Sequence, residues 1–158
     1  MPSQFDHEKL DVYQLTLQFV AWVTPLLEAV GKSGSGRIAE VSRQLDRASL
    51  SILLNIAEGN GRRASQQRAR FFDDARGSGT ECAACLDALV AKGIREDGDI
   101  EEGKALLVRI VAMLSKLVTR FDKGDRVREG GVEYGTIENE SEDEDEDEKS
   151  AEELSDER

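Results

Sequence analysis

Apolar side chains recur every three or four residues along most of the chain, which is the spacing of one buried face of an α-helix. The most regular segment has a seam of six aliphatic residues: Ile38, Val41, Leu45, Ala48, Ile52 and Ile56. Similar stripes run from Leu10 to Val23, from Phe72 to Leu89 and from Ile100 to Phe121. The pattern therefore predicts four amphipathic helices and an all-α fold.

Short polar links separate the four segments, and short links place consecutive helices side by side in opposite directions. Residues 31–36 (GKSGSG) form the first link, and Gly93 with residues 97–99 (DGD) forms the third. Pro25 lies inside the first segment, where its missing N–H and its ring predict that helix one kinks or ends nearby. The sequence as a whole predicts an antiparallel, up-down-up-down four-helix bundle.

The second link carries signals for the end of helix two and for the start of helix three. Gly59 and Gly61 stand where a left-handed residue closes helix two. Ser65 is placed to cap helix three by accepting a backbone hydrogen bond. Helix three also carries small residues such as Ala75 and Gly79, which would let a partner helix approach closely.

Composition supports the helical interpretation and suggests a compartment. A hydrophobic content of 39% with only 5% aromatic residues and two prolines favours packed aliphatic helices over a β-sandwich. No apolar run approaches the roughly 20 residues that span a bilayer. Residues 1–11 lack the basic and apolar regions of a secretory signal. We therefore expect a cytoplasmic protein with no membrane partner.

Charge is divided unevenly along the 158 residues. Residues 1–124 hold 17 Lys and Arg against 17 Asp and Glu, whereas residues 125–158 hold 4 against 16 and carry the whole net charge of -12. Residues 138–148 (ENESEDEDEDE) contain nine acids and no hydrophobic side chain, which predicts disorder. We expect a bundle over residues 1–124 and an acidic, disordered tail over residues 125–158, with residues 127–137 as a linker.

The sequence favours no enzyme, no metal and no cofactor. His7 is the only histidine, and with two cysteines it falls short of the four ligands of a usual zinc site. Residues 31–33 (GKS) match the end of a phosphate-binding loop, but they follow a helix and lack the earlier glycine. Cys82 and Cys85 lie inside a predicted helix, where they are expected to act as small apolar residues rather than as a redox pair.

Polar side chains in the central segments are assigned structural roles. Asn55 and Glu58 lie on or beside the apolar seam of helix two, where a polar group must find a partner or destabilise the fold. Glu58 is expected to accept hydrogen bonds from Arg62, or from Gln44 or Ser78 across the bundle. The structural polar residues are Asn55, Glu58, Ser78 and Glu81.

Residues 37–76 are basic, with eight arginines against five acidic residues. Six arginines lie in or near the second link: Arg47, Arg62, Arg63, Arg68, Arg70 and Arg76. In one interpretation they solvate the outer faces and pair with neighbouring carboxylates. In the other they gather around one end of the bundle and bind phosphates, because the planar guanidinium fork makes two parallel charge-assisted hydrogen bonds. The sequence leaves both interpretations open.

Several motifs carry a resemblance to a known family. They are residues 55–59 (NIAEG), Ser65 followed six residues later by Phe71-Phe72, and Gly77-Ser78 with Glu81. On these motifs, the chain resembles the four-helix-bundle proteins encoded within intervening sequences of 23S ribosomal RNA genes. The same fold family includes the Avd accessory proteins of diversity-generating retroelements. The resemblance covers about residues 5–121.

The resemblance implies a four-helix bundle that assembles as a ring-like homopentamer and has no enzymatic activity. Members linked to retroelements bind nucleic acid and a reverse transcriptase through basic surfaces, so RNA or a reverse transcriptase is the implied partner. The expected function is that of an oligomeric, nucleic-acid-associated adaptor. The alternative is a protein-interaction scaffold whose acidic tail recruits a basic partner without binding nucleic acid.

Overall fold

The structure is a computed structural model that describes residues 4–33 and 36–133. Every regular element in these ranges is helical, which confirms the all-α prediction. A short 3-10 helix, Asp6–Lys9, precedes four long helices. These are α1 (Asp11–Ser33), α2 (Gly36–Gly61), α3 (Ser65–Ala91) and α4 (Asp97–Glu133).

Contacts between successive helices show that neighbours run in opposite directions. The hydroxyls of Ser51 in α2 and Ser78 in α3 lie 2.9 Å apart, and Asp87 in α3 accepts a hydrogen bond of 2.6 Å from Lys104 in α4. The Trp22 ring of α1 packs against Gly103 of α4, so the first and last helices also touch. The predicted antiparallel four-helix bundle is therefore confirmed.

The core consists of aliphatic and aromatic side chains from all four helices. Its largest fully buried members include Phe19, Val30, Leu45, Ile52, Ile56, Phe72, Leu86, Leu89, Ile110 and Leu114. Burying each of these side chains stabilises the fold by about 1.5–3 kcal/mol. The buried hydroxyls of Thr16 and Ser49 donate to carbonyls of their own helices, at 2.7 Å each, so the core leaves neither of them unpaired.

Pro25 does not end α1, which continues to Ser33. Proline removes the N–H that would bond to the carbonyl four residues earlier, at Ala21. Pro25 and Ala21 are both exposed, so the interrupted hydrogen bond lies on the solvent side of α1, where water can replace it. The solvent side of a helix can therefore hold a proline that would end a buried segment.

The link between α2 and α3 differs from its predicted form. Gly59 remains inside α2, and among the described residues only Gly93 has a positive φ, of 70°. Gly59 is required for another reason, because a Cβ there would lie 2.8 Å from Cβ of Phe71. The predicted cap at Ser65 is also wrong, since Ala64 occupies the N-cap position and makes no side-chain hydrogen bond.

Helix α4 is longer than predicted. It extends to Glu133 rather than ending near Phe121, so residues 127–133 of the expected linker are helical. The chain divides into two units, Met1–Lys123 and Gly124–Arg158, and the contacts above concern the first. The predicted disorder of residues 138–148 lies outside the described residues, and the division into a bundle and a tail stays a prediction.

Candidate nucleic-acid interface

The turn between α2 and α3, with the start of α3, brings four arginines to one end of the bundle. Helix α2 ends at Gly61 and α3 begins at Ser65, so only three residues connect them. Two of these three are Arg62 and Arg63, and the N–H of Arg62 donates to the carbonyl of Gly59 at 3.2 Å. An antiparallel pair joined by so short a turn places the end of one helix beside the start of the next.

Arg62 is held along the surface of the turn. Its guanidinium donates to Glu58 at 2.5 Å and lies over the ring of Phe71, 4.9 Å from the centroid. This confirms the predicted Arg62–Glu58 hydrogen bond, although Glu58 is exposed rather than buried on the seam. Exposed ion pairs at this helical spacing contribute only about 0.3–0.5 kcal/mol, so the pair can open at small cost.

Arg68 is partly buried and ties three helices together. Its guanidinium donates to the backbone and side-chain oxygens of Asn60 at 3.2 and 3.1 Å, and it lies 4.7 Å from the ring centroid of Phe121 in α4. Its Nε atom is buried without a hydrogen-bond partner. These contacts make Arg68 a packing element at the base of the turn rather than a freely accessible cation.

Arg63 and Arg70 are exposed and differ from the other four arginines. Among the side chains that the structure describes, neither of them forms an ion pair or a hydrogen bond. Arg70 lines a shallow groove between α3 and α4 together with Gln66, Asp73 and Asp122. The two guanidinium groups are therefore available to an anion that approaches this end of the bundle.

Arg47 and Arg76 lie away from the turn. Arg47 precedes Arg62 by fifteen residues, or about 22 Å along α2, and donates to Gln44 at 2.6 Å. Arg76 donates twice to Asp73, at 2.8 and 2.6 Å. The six arginines therefore do not share one end of the bundle. Only four of them lie in the turn or in the first two turns of α3: Arg62, Arg63, Arg68 and Arg70.

Two of the four structural polar residues, Asn55 and Ser78, form a small network with Ser51 across α2 and α3. The amide of Asn55 donates to the carbonyl and the hydroxyl of Ser51 at 2.9 and 3.1 Å, and this hydroxyl meets that of Ser78. Glu81 is exposed and takes no part in these hydrogen bonds. Ser51 was not among the predicted polar residues, although it precedes Asn55 by one helical turn and so shares its face.

The two cysteines are unreactive in this environment. Cys82 is buried and Cys85 partly buried, and neither forms a disulfide. Burial raises the pKa of the Cys82 thiol to about 12, and burial also raises the pKa of Cys85, with a smaller effect of Glu81. Both thiols stay protonated at neutral pH, which fits their predicted role as small apolar residues.

Within the described residues, no group of three or more His, Cys, Asp or Glu side chains is placed to hold a metal ion. In the same part of the chain, none of the helices is long and apolar enough to cross a membrane. The arginines of the α2–α3 turn thus remain the candidate site.

A known protein family matches most of the chain. The family model described as 23S rRNA-intervening sequence protein matches residues 8–116, which is well over half of the chain. No curated protein matches the chain. The matched range contains α1, α2 and α3 and therefore includes the whole α2–α3 turn.

Proposed function

Because the chain belongs to the 23S rRNA-intervening sequence protein family, we propose that it is a non-enzymatic adaptor that binds nucleic acid at the α2–α3 turn. The proposed partner is RNA, either alone or together with a reverse transcriptase. The adaptor works as a homo-oligomer, and the resemblance described above favours a pentamer. The proposed compartment is the cytoplasm.

One observation carries this proposal. Arg63 and Arg70 are exposed at the same end of the bundle and have no carboxylate partner among the described residues. A solvating role would be served equally well by arginines paired with acids, as Arg76 is with Asp73. Unpaired guanidinium groups are well suited to phosphate oxygens, because each can make two parallel charge-assisted hydrogen bonds.

Arg62 can join these two residues when phosphate arrives. Its side chain remains 43% exposed, and its ion pair with Glu58 lies on the surface. The ring of Phe71 keeps the guanidinium in place through a cation–π contact, so little side-chain freedom is lost on binding. Three cations then face the polyanion, and several copies in one oligomer would present this set repeatedly, which strengthens binding through avidity.

The negative charge of residues 125–158 opposes the binding of nucleic acid. They hold 16 acidic and 4 basic residues, so the net charge of the whole chain is -12. A net negative charge repels a polyanion over about one Debye length, roughly 8 Å at physiological salt. Binding should therefore depend on the local arrangement of arginines rather than on the overall charge.

The experiment compares two full-length variants of equal net charge. The site variant combines Arg63→Glu with Arg70→Glu, and the control combines Lys92→Glu with Arg109→Glu, two exposed cations outside the turn. We expect the site variant to lose at least about tenfold in affinity for single-stranded RNA and about two units of salt slope. The control should retain most of the affinity.

Equal losses in the two variants would show that only the total charge matters, which contradicts the proposal. No RNA affinity of the unmodified chain at low salt would favour the alternative, a scaffold whose acidic residues recruit a basic protein. Fluorescence anisotropy with a labelled oligonucleotide, repeated across a salt series, measures both quantities.

A further inference from the structure

Helix α2 exposes an apolar stripe on its outer side. Leu50 and Leu54 are 50% and 56% exposed, which is unusual for leucines in the middle of a helix whose other face forms the core. One turn before them stands Arg47, and one turn after them stands Glu58. These four residues, spaced by three and four positions, lie in one line and are called the outer stripe.

A second uncovered apolar surface lies between α3 and α4. The α3–α4 groove has a volume of about 340 Å³ and is lined mainly by small and aliphatic residues: Gly79, Thr80, Ala83, Val108, Val111 and Ala112. Val108 is 68% exposed, although it stands beside the buried Leu107. Lys104 also lines the groove, and on α3 Arg76 stands one helical turn before Thr80 and Asp87 one turn after Ala83.

We propose that the outer stripe of one copy of the chain occupies the α3–α4 groove of a second copy. The contact is head to tail, because each copy contributes a different surface. This inference names the surface for the self-association that belongs to the proposed function, and it does not depend on nucleic-acid binding.

The two surfaces match in spacing and in charge. Eleven residues separate Arg47 from Glu58 on α2, and eleven separate Arg76 from Asp87 on α3, which is about 16 Å in both helices. When α2 of one copy runs antiparallel to α3 of the other, Arg47 faces Asp87 and Glu58 faces Arg76.

The leucines then fall within the groove. In the same register Leu54 lies opposite Thr80, and Leu50 lies opposite Ala83 and its neighbour Ala84. The small side chains of α3 leave room for the branched ends of both leucines, as facing large and small residues do in packed helices. One register therefore pairs both charges and buries both leucines.

Existing ion pairs do not prevent this contact. Arg76 already donates two of its five N–H groups to Asp73, which leaves three for a second carboxylate. Asp87 already accepts from Lys104 at 2.6 Å, and Glu58 already accepts from Arg62 at 2.5 Å. A carboxylate has two oxygens and about four acceptor positions, so each can take a second cationic donor. The contact would turn isolated surface pairs into small networks, which are stronger than single exposed pairs.

A second copy fits these observations better than an unrelated partner, because both complementary surfaces occur on this one chain. Every copy that uses its outer stripe still has a free groove, and every copy that uses its groove still has a free stripe. A head-to-tail contact of this kind either closes into a ring or extends into a filament.

Mixing two full-length variants tests the proposal. Leu54→Glu damages the outer stripe and Val108→Glu damages the groove, and both positions are exposed, so the bundle itself should fold. Each variant alone should be monomeric or at least about tenfold weaker in self-association, because a charge would be buried in an apolar contact. An equimolar mixture should form a one-to-one dimer through the intact stripe of one variant and the intact groove of the other.

Light scattering after size exclusion gives the masses, and Leu17→Glu on α1, 38% exposed, is the control that should leave association unchanged. The proposal is overturned if Val108→Glu alone still associates like the unmodified chain, or if the mixture stays monomeric. Far-UV circular dichroism of each variant confirms that the helices are intact.

A charge exchange provides an independent check of the register. Arg47→Asp and Asp87→Arg should each weaken self-association, and the two changes in one chain should restore it, since the pair is rebuilt with reversed polarity. No restoration would contradict the register. Arg63→Glu with Arg70→Glu should associate normally, so that a failure of RNA binding and a failure of self-association are observed separately.

Discussion

Replacement of Gly103 by alanine tests how closely α1 and α4 approach each other. A Cβ on Gly103 would collide with three atoms of the Trp22 ring, and the most distant of them, Cε3, would be only 2.7 Å away. Ordinary contacts of this kind lie at 3.4–4 Å. The ring cannot withdraw freely, because it stacks on the buried Phe19 with the two centroids 5.9 Å apart.

Two opposing effects decide whether Gly103→Ala raises or lowers the free energy of unfolding. Alanine is favoured over glycine inside a helix by about 0.5–1 kcal/mol. Overpacking of a well-filled contact costs about 1–3 kcal/mol. The overlap involves three atoms of a rigid ring, which places the cost in the upper part of that range. We therefore expect Gly103→Ala to lower the free energy of unfolding by about 1–2 kcal/mol.

Urea denaturation of the full chain, followed by circular dichroism, measures this change. Gly77→Ala is the matched control, because Gly77 also lies inside a helix but has open space around its Cβ position. It should raise the stability by about 0.5–1 kcal/mol. Since Trp22 is the only tryptophan, its fluorescence reports the displacement of the ring directly.

A third variant isolates the collision itself. In a Trp22→Leu background the same Gly103→Ala change should lose most of its cost, because the ring that it meets is absent. An equal cost in both backgrounds, or a Gly103→Ala chain as stable as Gly77→Ala, would refute the close approach of α1 and α4.

Further changes have defined outcomes in the same unfolding assay. Gly59→Ala should destabilise the fold by about 1–2 kcal/mol, because its Cβ would lie 2.8 Å from Cβ of Phe71. Glu58→Gln should change the stability by less than about 0.5 kcal/mol, since its ion pair with Arg62 is exposed. Stability should fall as the pH rises from about 9 towards 12, because unfolded Cys82 releases its proton near its ordinary pKa of 9.0 whereas the folded thiol keeps it until about 12. Cys82→Ala should reduce this alkaline loss.

Each of these expectations has a contradicting result. A neutral Gly59→Ala would mean that α2 and α3 separate easily at the turn. A large effect of Glu58→Gln would show that the carboxylate is needed for the fold. An alkaline loss of stability that persists unchanged in Cys82→Ala would assign it to other groups.

The four helices could be predicted from sequence because their apolar faces repeat over many turns. The apolar positions of α2 fit the repeat of a helix and not that of a strand. Among them, Leu45, Ile52 and Ile56 are all fully buried. The motifs around Asn55 and Ser78 carried the family resemblance, and both side chains take part in hydrogen bonds where α2 meets α3.

Helix ends were harder to predict because they depend on tertiary surroundings. Gly59 looks like a helix terminator in sequence, yet it serves to admit Phe71 and Phe72 of the facing helix. Pro25 looks like a breaker, but it lies on the exposed side of α1. The roles of this glycine and this proline cannot be predicted without knowing which side of each helix faces the core.

The candidate site was predicted only in part, since sequence composition does not distinguish free cations from paired ones. The arginines at positions 62, 63 and 70 are exposed at the turn, as the nucleic-acid hypothesis requires. Arg68 instead donates a hydrogen bond to Asn60 and packs over the ring of Phe121, a residue more than fifty positions further along the chain. A contact over such a sequence separation is not visible in local patterns.

The meeting of Trp22 with Gly103 has a consequence for the order in which the bundle can assemble during synthesis. Adjacent helices such as α2 and α3 are joined by three residues and can pair as soon as both have left the ribosome. The indole has to wait for about eighty further residues to be translated, or several seconds at bacterial or eukaryotic rates of about 5–20 residues per second. Nascent chains therefore spend that interval before α4 can cover the Trp22 side of α1.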